Sequence, residues 1–100
     1  MRLALHPDAR AEYGAAVQFY DQLRTGLGLR FISCVEAALR AALESPFASP
    51  VLDPGVRRRL TRTFPYAVLY SVEPDTVWVL AIMHCQQKPG YWRARLGQPE

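Results

Sequence analysis

The spacing of apolar residues along the chain changes about halfway from a helical period to a strand period. A short apolar run at residues 2–5 predicts a strand that ends before Pro7, and proline is favoured at the first position of a helix. From Pro7, apolar residues recur at steps of three and four, which predicts an amphipathic helix of roughly five turns. Asp8 and Glu12 suit the positive end of its dipole. Gly26 and Gly28 offer its C-cap and a tight turn.

A second apolar stripe follows at once and predicts a second helix, which "SPFASPVLDPG" ends with three prolines. Because only a few residues join the two helices, residues 7–45 are expected to form an antiparallel αα-hairpin. The proline-rich stretch at 45–55 is interpreted as a connector.

Beyond residue 55 the pattern becomes that of strands. The segments "VRRRLTRTF", "YAVLYSV" and "TVWVLAIMH" are separated by turn residues, which predicts a three-stranded antiparallel meander. The third segment, residues 76–84, is apolar on both faces and is therefore expected in the interior of the sheet. The strand at 2–5 is expected to join the same sheet.

The order β-α-α-β-β-β predicts an α+β fold, with the αα-hairpin packed on one face of a small, mainly antiparallel sheet. A short turn or helix is expected at "GYWRARL". With 100 residues, the chain has the length of one compact domain, taken as residues 1–100.

Composition narrows the class of protein. No apolar run approaches the roughly 18 residues of a spanning helix, and no signal peptide is recognisable, so a cytoplasmic protein without membrane contact is expected. Cys34 and Cys85 are interpreted as two reduced, packed thiols. The two histidines and two cysteines lack metal-ligand spacing, so neither a metal site nor a cofactor is predicted.

Basic residues concentrate in the second half of the chain. The net charge of +3 favours an anionic partner, and most of the positive field comes from two clusters. These clusters are Arg57, Arg58, Arg59 and Arg62 on the first strand of the meander, and Lys88, Arg93 and Arg95 near the C-terminus.

The residues from 57 to 96 carry a family pattern. The pattern consists of a basic strand, Phe64-Pro65-Tyr66 opening the next strand, an acidic turn, an apolar strand ending in His84, and then Pro89, Tyr91-Trp92 and Arg95. In this combination the chain resembles the RelE/ParE superfamily of bacterial toxins from type II toxin–antitoxin operons, which are also known as plasmid stabilisation proteins. The helical half resembles the opening helices of that family, including the aromatic pair Phe19-Tyr20.

The resemblance implies one of two mechanisms. ParE-like toxins inhibit DNA gyrase without a demonstrated nuclease site, whereas RelE-like toxins cut messenger RNA in the ribosome. The FPY opening, the short helical hairpin, the spacing from His84 to Pro89 and the YW ending are closer to the ParE-like group. The chain departs from the family at Gln87, where an arginine is common in an H-x-x-R-x-P pattern, and an amide removes an obvious phosphate contact.

The resemblance also implies a protein partner. Antitoxins of this family wrap the toxin with a C-terminal segment, which we expect to be acidic and to use the apolar and basic surface or the free edge of the sheet. Gyrase is the favoured target, and the ribosome with its mRNA is the alternative. A toxin-fold module that binds its antitoxin but is not toxic is a third possibility.

Metal-independent RNA cleavage would need cations and proton-transfer groups, which Arg57, Arg59, His84 and Tyr91 could supply. Alternation along a strand places Arg58 and Arg62 on one face and Arg57 and Arg59 on the other, so the arginines cannot all converge. Simple structural roles stay open: a solvated basic strand, and a half-buried His84 hydrogen-bonded to the backbone or a loop side chain. No residue is therefore assigned as catalytic.

Tyr91 and Trp92 also have two interpretations, because they can stack on a base or fold the tail back onto the domain. The residues expected to contact a target or an antitoxin are Arg57, Arg58, Arg59, Arg62, His84, Lys88, Tyr91, Trp92 and Arg95.

Overall fold

Helices and strands follow one another in the predicted order, with one additional strand. The computed structural model describes residues 1–98. Its elements are β1 (Arg2–Leu5), α1 (Pro7–Leu23), α2 (Leu27–Glu44), β2 (Val51–Asp53), β3 (Val56–Leu60), β4 (Tyr66–Val72), β5 (Thr76–His84) and a 3₁₀ turn at Arg93–Arg95.

The strands form one sheet in the order β1-β5-β4-β3-β2. β1 pairs with β5 in parallel, and every other neighbouring pair is antiparallel. The predicted α+β class is therefore confirmed, as are the inclusion of β1 in the sheet and the interior position of residues 76–84.

The helical hairpin begins and turns where the sequence indicated. Pro7 opens α1, and the His6 ring caps it by accepting a hydrogen bond from the Asp8 amide at 3.0 Å. Gly26 has φ +91° in the connection between the helices. A Cβ on Gly28 would lie 2.9 Å from the Val17 carbonyl oxygen, so only glycine allows this close approach of α2 to α1.

Two predictions about the basic strand were wrong. The connector at 45–55 contains β2, in which Val51 pairs with Arg57; prolines on both sides hide this short edge strand in the sequence. β3 ends at Leu60 instead of continuing to residue 64. There the Thr61 hydroxyl donates to the carbonyl of Phe64 at 3.0 Å, which closes a turn.

Both faces of the sheet are covered. The helices cover one face, and the segment after β5 covers the other, where the Trp92 side chain is only 2% exposed. β5 contains a bulge. Leu69 pairs with Ala81 and the next residue, Tyr70, pairs with Val79, so that Leu80 is an extra residue on β5. The second core contains Val56, Ala67, Leu69, Trp78, Leu80, Ala81, Met83 and Trp92.

The two cysteines differ in their surroundings. Both are free thiols, as predicted. Cys34 is half-buried on α2, but Cys85 is exposed, so the expectation of a packed thiol was wrong there. Cys85 follows the last residue of β5, where the chain leaves the core. No helix within residues 1–98 has the length and apolar character needed to cross a membrane.

We expect Trp92→Ala to lower the free energy of unfolding by about 3–5 kcal/mol, because it removes one of the two buried tryptophans of the second core. Leu96→Ala is the control, since Leu96 is 41% exposed, and it should change stability by less than about 0.5 kcal/mol. Urea unfolding followed by circular dichroism measures both. Equal small losses would show that the C-terminal segment is not part of the core.

Candidate functional site

β5 extends beyond the end of β1, so the last part of its edge has no neighbouring strand. Side chains form hydrogen bonds with the backbone of β5 there. The last backbone bond on that side joins the His6 amide to the Val79 carbonyl at 2.8 Å. Beyond it, the Leu80 carbonyl accepts from Arg95 Nη1 at 3.0 Å, and the Ile82 amide donates to Glu12 Oε1 at 3.1 Å. Two charged side chains thus take the place of a neighbouring strand.

Glu12 joins three parts of the chain. Its Oε2 accepts from the Tyr91 hydroxyl at 2.8 Å and from Arg95 Nη2 at 2.9 Å. The Arg95 guanidinium lies 5.0 Å from the centre of the Tyr91 ring, and the Arg95 side chain is only 13% exposed. We call Glu12, Tyr91 and Arg95 the clasp, because they connect α1, β5 and the C-terminal segment.

The clasp keeps the Tyr91 phenol protonated. Burial raises the pKa of Tyr91, and the hydrogen bond to Glu12 and the charge of that carboxylate raise it further. A phenol with a raised pKa stays protonated at neutral pH, so the Tyr91 hydroxyl donates a hydrogen bond to Glu12 and is not available as a general base.

A groove of about 300 Å³ lies beside the clasp and is lined in part by His84 and Tyr91. His84 Nδ1 accepts from the Gln86 amide at 3.0 Å, and its ring centre lies 5.1 Å from that of Tyr66. The expected half-buried, backbone-bonded histidine is confirmed. Two of the four residues considered for RNA cleavage therefore share this clasp groove, whose lining includes Glu12 but no arginine or lysine.

Arg57 and Arg59 lie elsewhere. Arg57 Nη1 donates to the carbonyls of Phe47 and Ser49, at 3.0 and 2.8 Å, and its guanidinium lies 5.2 Å from the Phe47 ring centre. Arg57 therefore holds the segment before β2. Arg59 faces α2.

The other two arginines of the cluster are exposed. Arg58 projects from the opposite face of β3, as alternation predicted. The prediction that Arg62 shares that strand face was wrong, because β3 has ended and Arg62 lies in the following turn.

The C-terminal residues mostly bind the protein itself. Arg93 forms an ion pair with Asp53 at 2.8 Å, Arg95 belongs to the clasp, and Trp92 is buried. Lys88 is exposed. Tyr91 and Trp92 had two interpretations, and the structure confirms the one in which the tail folds back onto the domain.

Sequence reasoning missed the role of Glu12, which was assigned only to the helix dipole. A signal was present: Glu12 lies three residues after Ala9 and four before Ala16, both of which are buried. A carboxylate on the buried stripe of a helix needs partners, and these are supplied by residues 79 and 83 positions away.

A second concave surface, which we call the α2–β3 groove, runs between α2 and the outer strands. It consists of three hollows of about 310, 200 and 270 Å³ that share lining residues. Arginines contribute to its walls and no carboxylate does. The lining residues include Leu29, Arg30, Arg58, Arg59, Leu60, Arg62 and Thr63.

A solved structure described as the chromosomal ParDE TA (toxin–antitoxin) system from P. aeruginosa contains a chain similar to this one. The TM-score is 0.74 at 19% sequence identity, and the match covers 84% of this chain and 95% of that chain. No protein-family model matches, and no curated protein does. The structural likeness shows a shared fold, and the predicted ParE-like fold is confirmed.

We expect Glu12→Ala to lower the free energy of unfolding by about 2–4 kcal/mol, because it leaves Arg95 and the Ile82 amide without their partner. Glu36→Ala is the matched control, since Glu36 accepts from Tyr13 at the surface, and it should cost less than about 1 kcal/mol. Urea denaturation compares the two. Similar losses would mean that the clasp is no stronger than a surface contact.

The raised pKa of Tyr91 predicts a loss of stability at alkaline pH. The unfolded chain releases this proton near pH 10.0, whereas the folded chain retains it, so stability is present below that pH and falls as pH rises above it. Urea midpoints from about pH 9 to about pH 11 should therefore fall less steeply in Tyr91→Phe than in the wild type. Parallel curves would contradict the assignment.

Proposed function

We propose that this protein is the toxin of a type II toxin–antitoxin pair. It arrests growth by binding an essential target in the cytoplasm, and an antitoxin with an acidic C-terminal tail neutralises it. The fold shared with a chain of the ParDE system, over most of both chains, is the observation that carries this proposal. DNA gyrase is the favoured target because the sequence pattern is closer to the ParE-like group.

The geometry supports binding more than cutting. His84 and Tyr91 both line the clasp groove, but the charged group in its lining is the Glu12 carboxylate, which is paired with Arg95, and no arginine or lysine lines the groove to hold a phosphate. Arg57 is bonded to two backbone carbonyls, and Gln87 supplies an amide at the groove where family members commonly have an arginine. Stabilisation of a phosphorane needs a cation beside the proton-transfer groups.

A ribosome-dependent mRNA endonuclease is the second candidate. The observation in its favour is that His84 and Tyr91, both considered for proton transfer, line one groove. Binding to the ribosome would then have to bring the missing cation into that groove.

Expression with and without the product of the neighbouring gene tests the proposal. We expect growth arrest when the chain is expressed alone, loss of supercoiling or gyrase-linked DNA cleavage during the arrest, and recovery on co-expression. Cuts in mRNA at fixed codon positions would select the endonuclease. Absence of arrest, with the neighbouring product still bound, would leave the non-toxic binding module.

We expect the double variant Arg59→Ala/His84→Ala to remain toxic, because the loss of two of the nine expected contact residues weakens gyrase binding without abolishing it, whereas the loss of a proton-transfer group would stop RNA cleavage. The measurement is growth after induction, with thermal unfolding to confirm that the variant is folded. Ribonuclease chemistry predicts a loss of roughly 100-fold or more in cleavage rate and hence no arrest.

A further inference from the structure

The clasp groove is lined by hydrogen-bond acceptors that the protein uses only in part. Each oxygen of a carboxylate has two lone pairs. Both lone pairs of Glu12 Oε2 are used, by the Tyr91 hydroxyl and by Arg95. Glu12 Oε1 accepts only from the Ile82 amide. Tyr66 also lines the groove, and its hydroxyl makes no hydrogen bond to any residue from 1 to 98. Two acceptors with free capacity therefore lie at this groove.

The charge around the groove is negative on balance. Arg95 lies 2.9 Å from the Glu12 carboxylate and 3.7 Å from that of Asp8, so two carboxylates surround one guanidinium. Among the residues that the structure describes, no arginine or lysine lines the groove. The whole chain has a net charge of +3, so the groove is an exception on a basic protein. Its field favours a cation over an anion.

Aromatic rings form much of the groove wall. Phe19, Tyr66 and Tyr91 line it together with the His84 ring. Arg95 already lies over the Tyr91 ring, at 5.0 Å from its centre. Phe19, in contrast, is 54% exposed on the outer surface of α1, so its ring is accessible to a partner. Because an aromatic ring attracts a cation placed over its face, Phe19 adds to the preference for positive charge.

The groove also has donors, which indicate what carries the cation. His84 Nδ1 accepts from the Gln86 amide, so the neutral ring has its proton on Nε2, which has no partner within residues 1–98. Gln87 is exposed at the groove, and its amide can both donate and accept. A free amine has no acceptor for these donors, whereas a polypeptide has backbone carbonyls beside each cationic side chain.

We propose that the clasp groove receives a lysine or arginine side chain of a protein partner. The cation lies over Phe19 and donates to Glu12 Oε1 and to the Tyr66 hydroxyl, while a carbonyl of the same segment accepts from His84 Nε2. The volume of about 300 Å³ has room for one such side chain. That the partner is the target of the toxin rests on the function proposed above.

The test uses the full chain and capped pentapeptides of sequence Gly-Ser-X-Ser-Gly, in which X is lysine, arginine, norleucine or glutamate. Amide shifts in ¹⁵N-labelled protein locate each peptide, and titration gives the Kd. We expect the lysine and arginine peptides to shift the Ile82 amide, which bonds to Glu12, and the Gln87 side-chain amide, with a Kd of about 1 mM that rises with salt. The tighter of the two identifies the cation. The norleucine and glutamate peptides should bind at least about fivefold more weakly.

A charge series at one exposed position tests the field of the groove. Gln87→Glu should tighten binding of the lysine peptide by about three- to fivefold, and Gln87→Lys should weaken it by a similar factor. Gln86 is the matched control, because it is the same residue type, is also exposed and does not line the groove. Gln86→Glu and Gln86→Lys should change the Kd by less than about twofold. Equal effects at the two positions would overturn the assignment.

Two further variants test the contacts. Tyr66→Phe removes the hydroxyl and keeps the ring, so it should weaken binding about fivefold. It should not prevent folding, because that hydroxyl has no partner within residues 1–98. Phe19→Leu keeps an apolar side chain at an exposed position but removes the aromatic ring, so it should weaken binding about two- to fivefold. An unchanged Kd in both variants would show that the cation binds elsewhere.

Three results would remove the site itself: shifts confined to other parts of the chain, equal binding of the glutamate peptide, and tighter binding of an RNA oligonucleotide in the groove. Growth assays separate the site from the function. Growth arrest by the wild type that persists unchanged in Gln87→Lys would show that the target binds elsewhere, and would leave the toxin. Peptide binding without growth arrest by the wild type would keep the cation site and remove the toxic role.

Discussion

The structure depends on how the protein completes a strand that is longer than its neighbour. β1 pairs with β5 only as far as Val79, and the rest of β5 would leave polar backbone groups without partners in the interior. Glu12 and Arg95 bond to those groups directly and to each other. A single carboxylate therefore determines where α1 crosses the sheet and where the C-terminal segment returns to it, which in turn places Trp92 in the second core.

That arrangement gives the two concave surfaces opposite chemistry. The clasp groove is aromatic and contains a carboxylate, because the C-terminal cations near it are used internally. The α2–β3 groove contains arginines without carboxylates and lies at an incomplete strand edge. The two grooves therefore differ in the charge that they present to a partner.

The sequence predicted the features that depend on residues close to one another along the chain. Helical periodicity, proline at the first position of α1 and alternation in the strands predicted the order of every element except β2, and the bounds of β4 and β5 follow from residue type alone. The role of Glu12 was not predictable in this way, because its partners are distant in sequence. The role of Arg57 was not predictable for a similar reason. A basic residue on a strand can be exposed to solvent or can bond to a carbonyl of a nearby loop, and the periodicity of the sequence does not predict the path of that loop.

The resemblance to a family predicted the fold but not the location of each side chain. Tyr91 and Trp92 carry the family pattern, yet one belongs to the clasp and the other to the core, so a shared motif here describes packing as much as recognition. Gln87 is the exception: it is exposed and lines the clasp groove, where its difference from the family pattern bears directly on what can bind.

The bulge at Leu80 has a consequence for how this chain can evolve. With the extra residue, Ile82 and His84 project toward the helices and Met83 toward the second core. Deleting Leu80 would remove the bulge and leave Val79 and Ala81 in regular alternation, so Ile82 and His84 would keep their directions. The bulge therefore allows β5 to lose one residue at this position without moving the His84 side chain to the opposite face of the sheet.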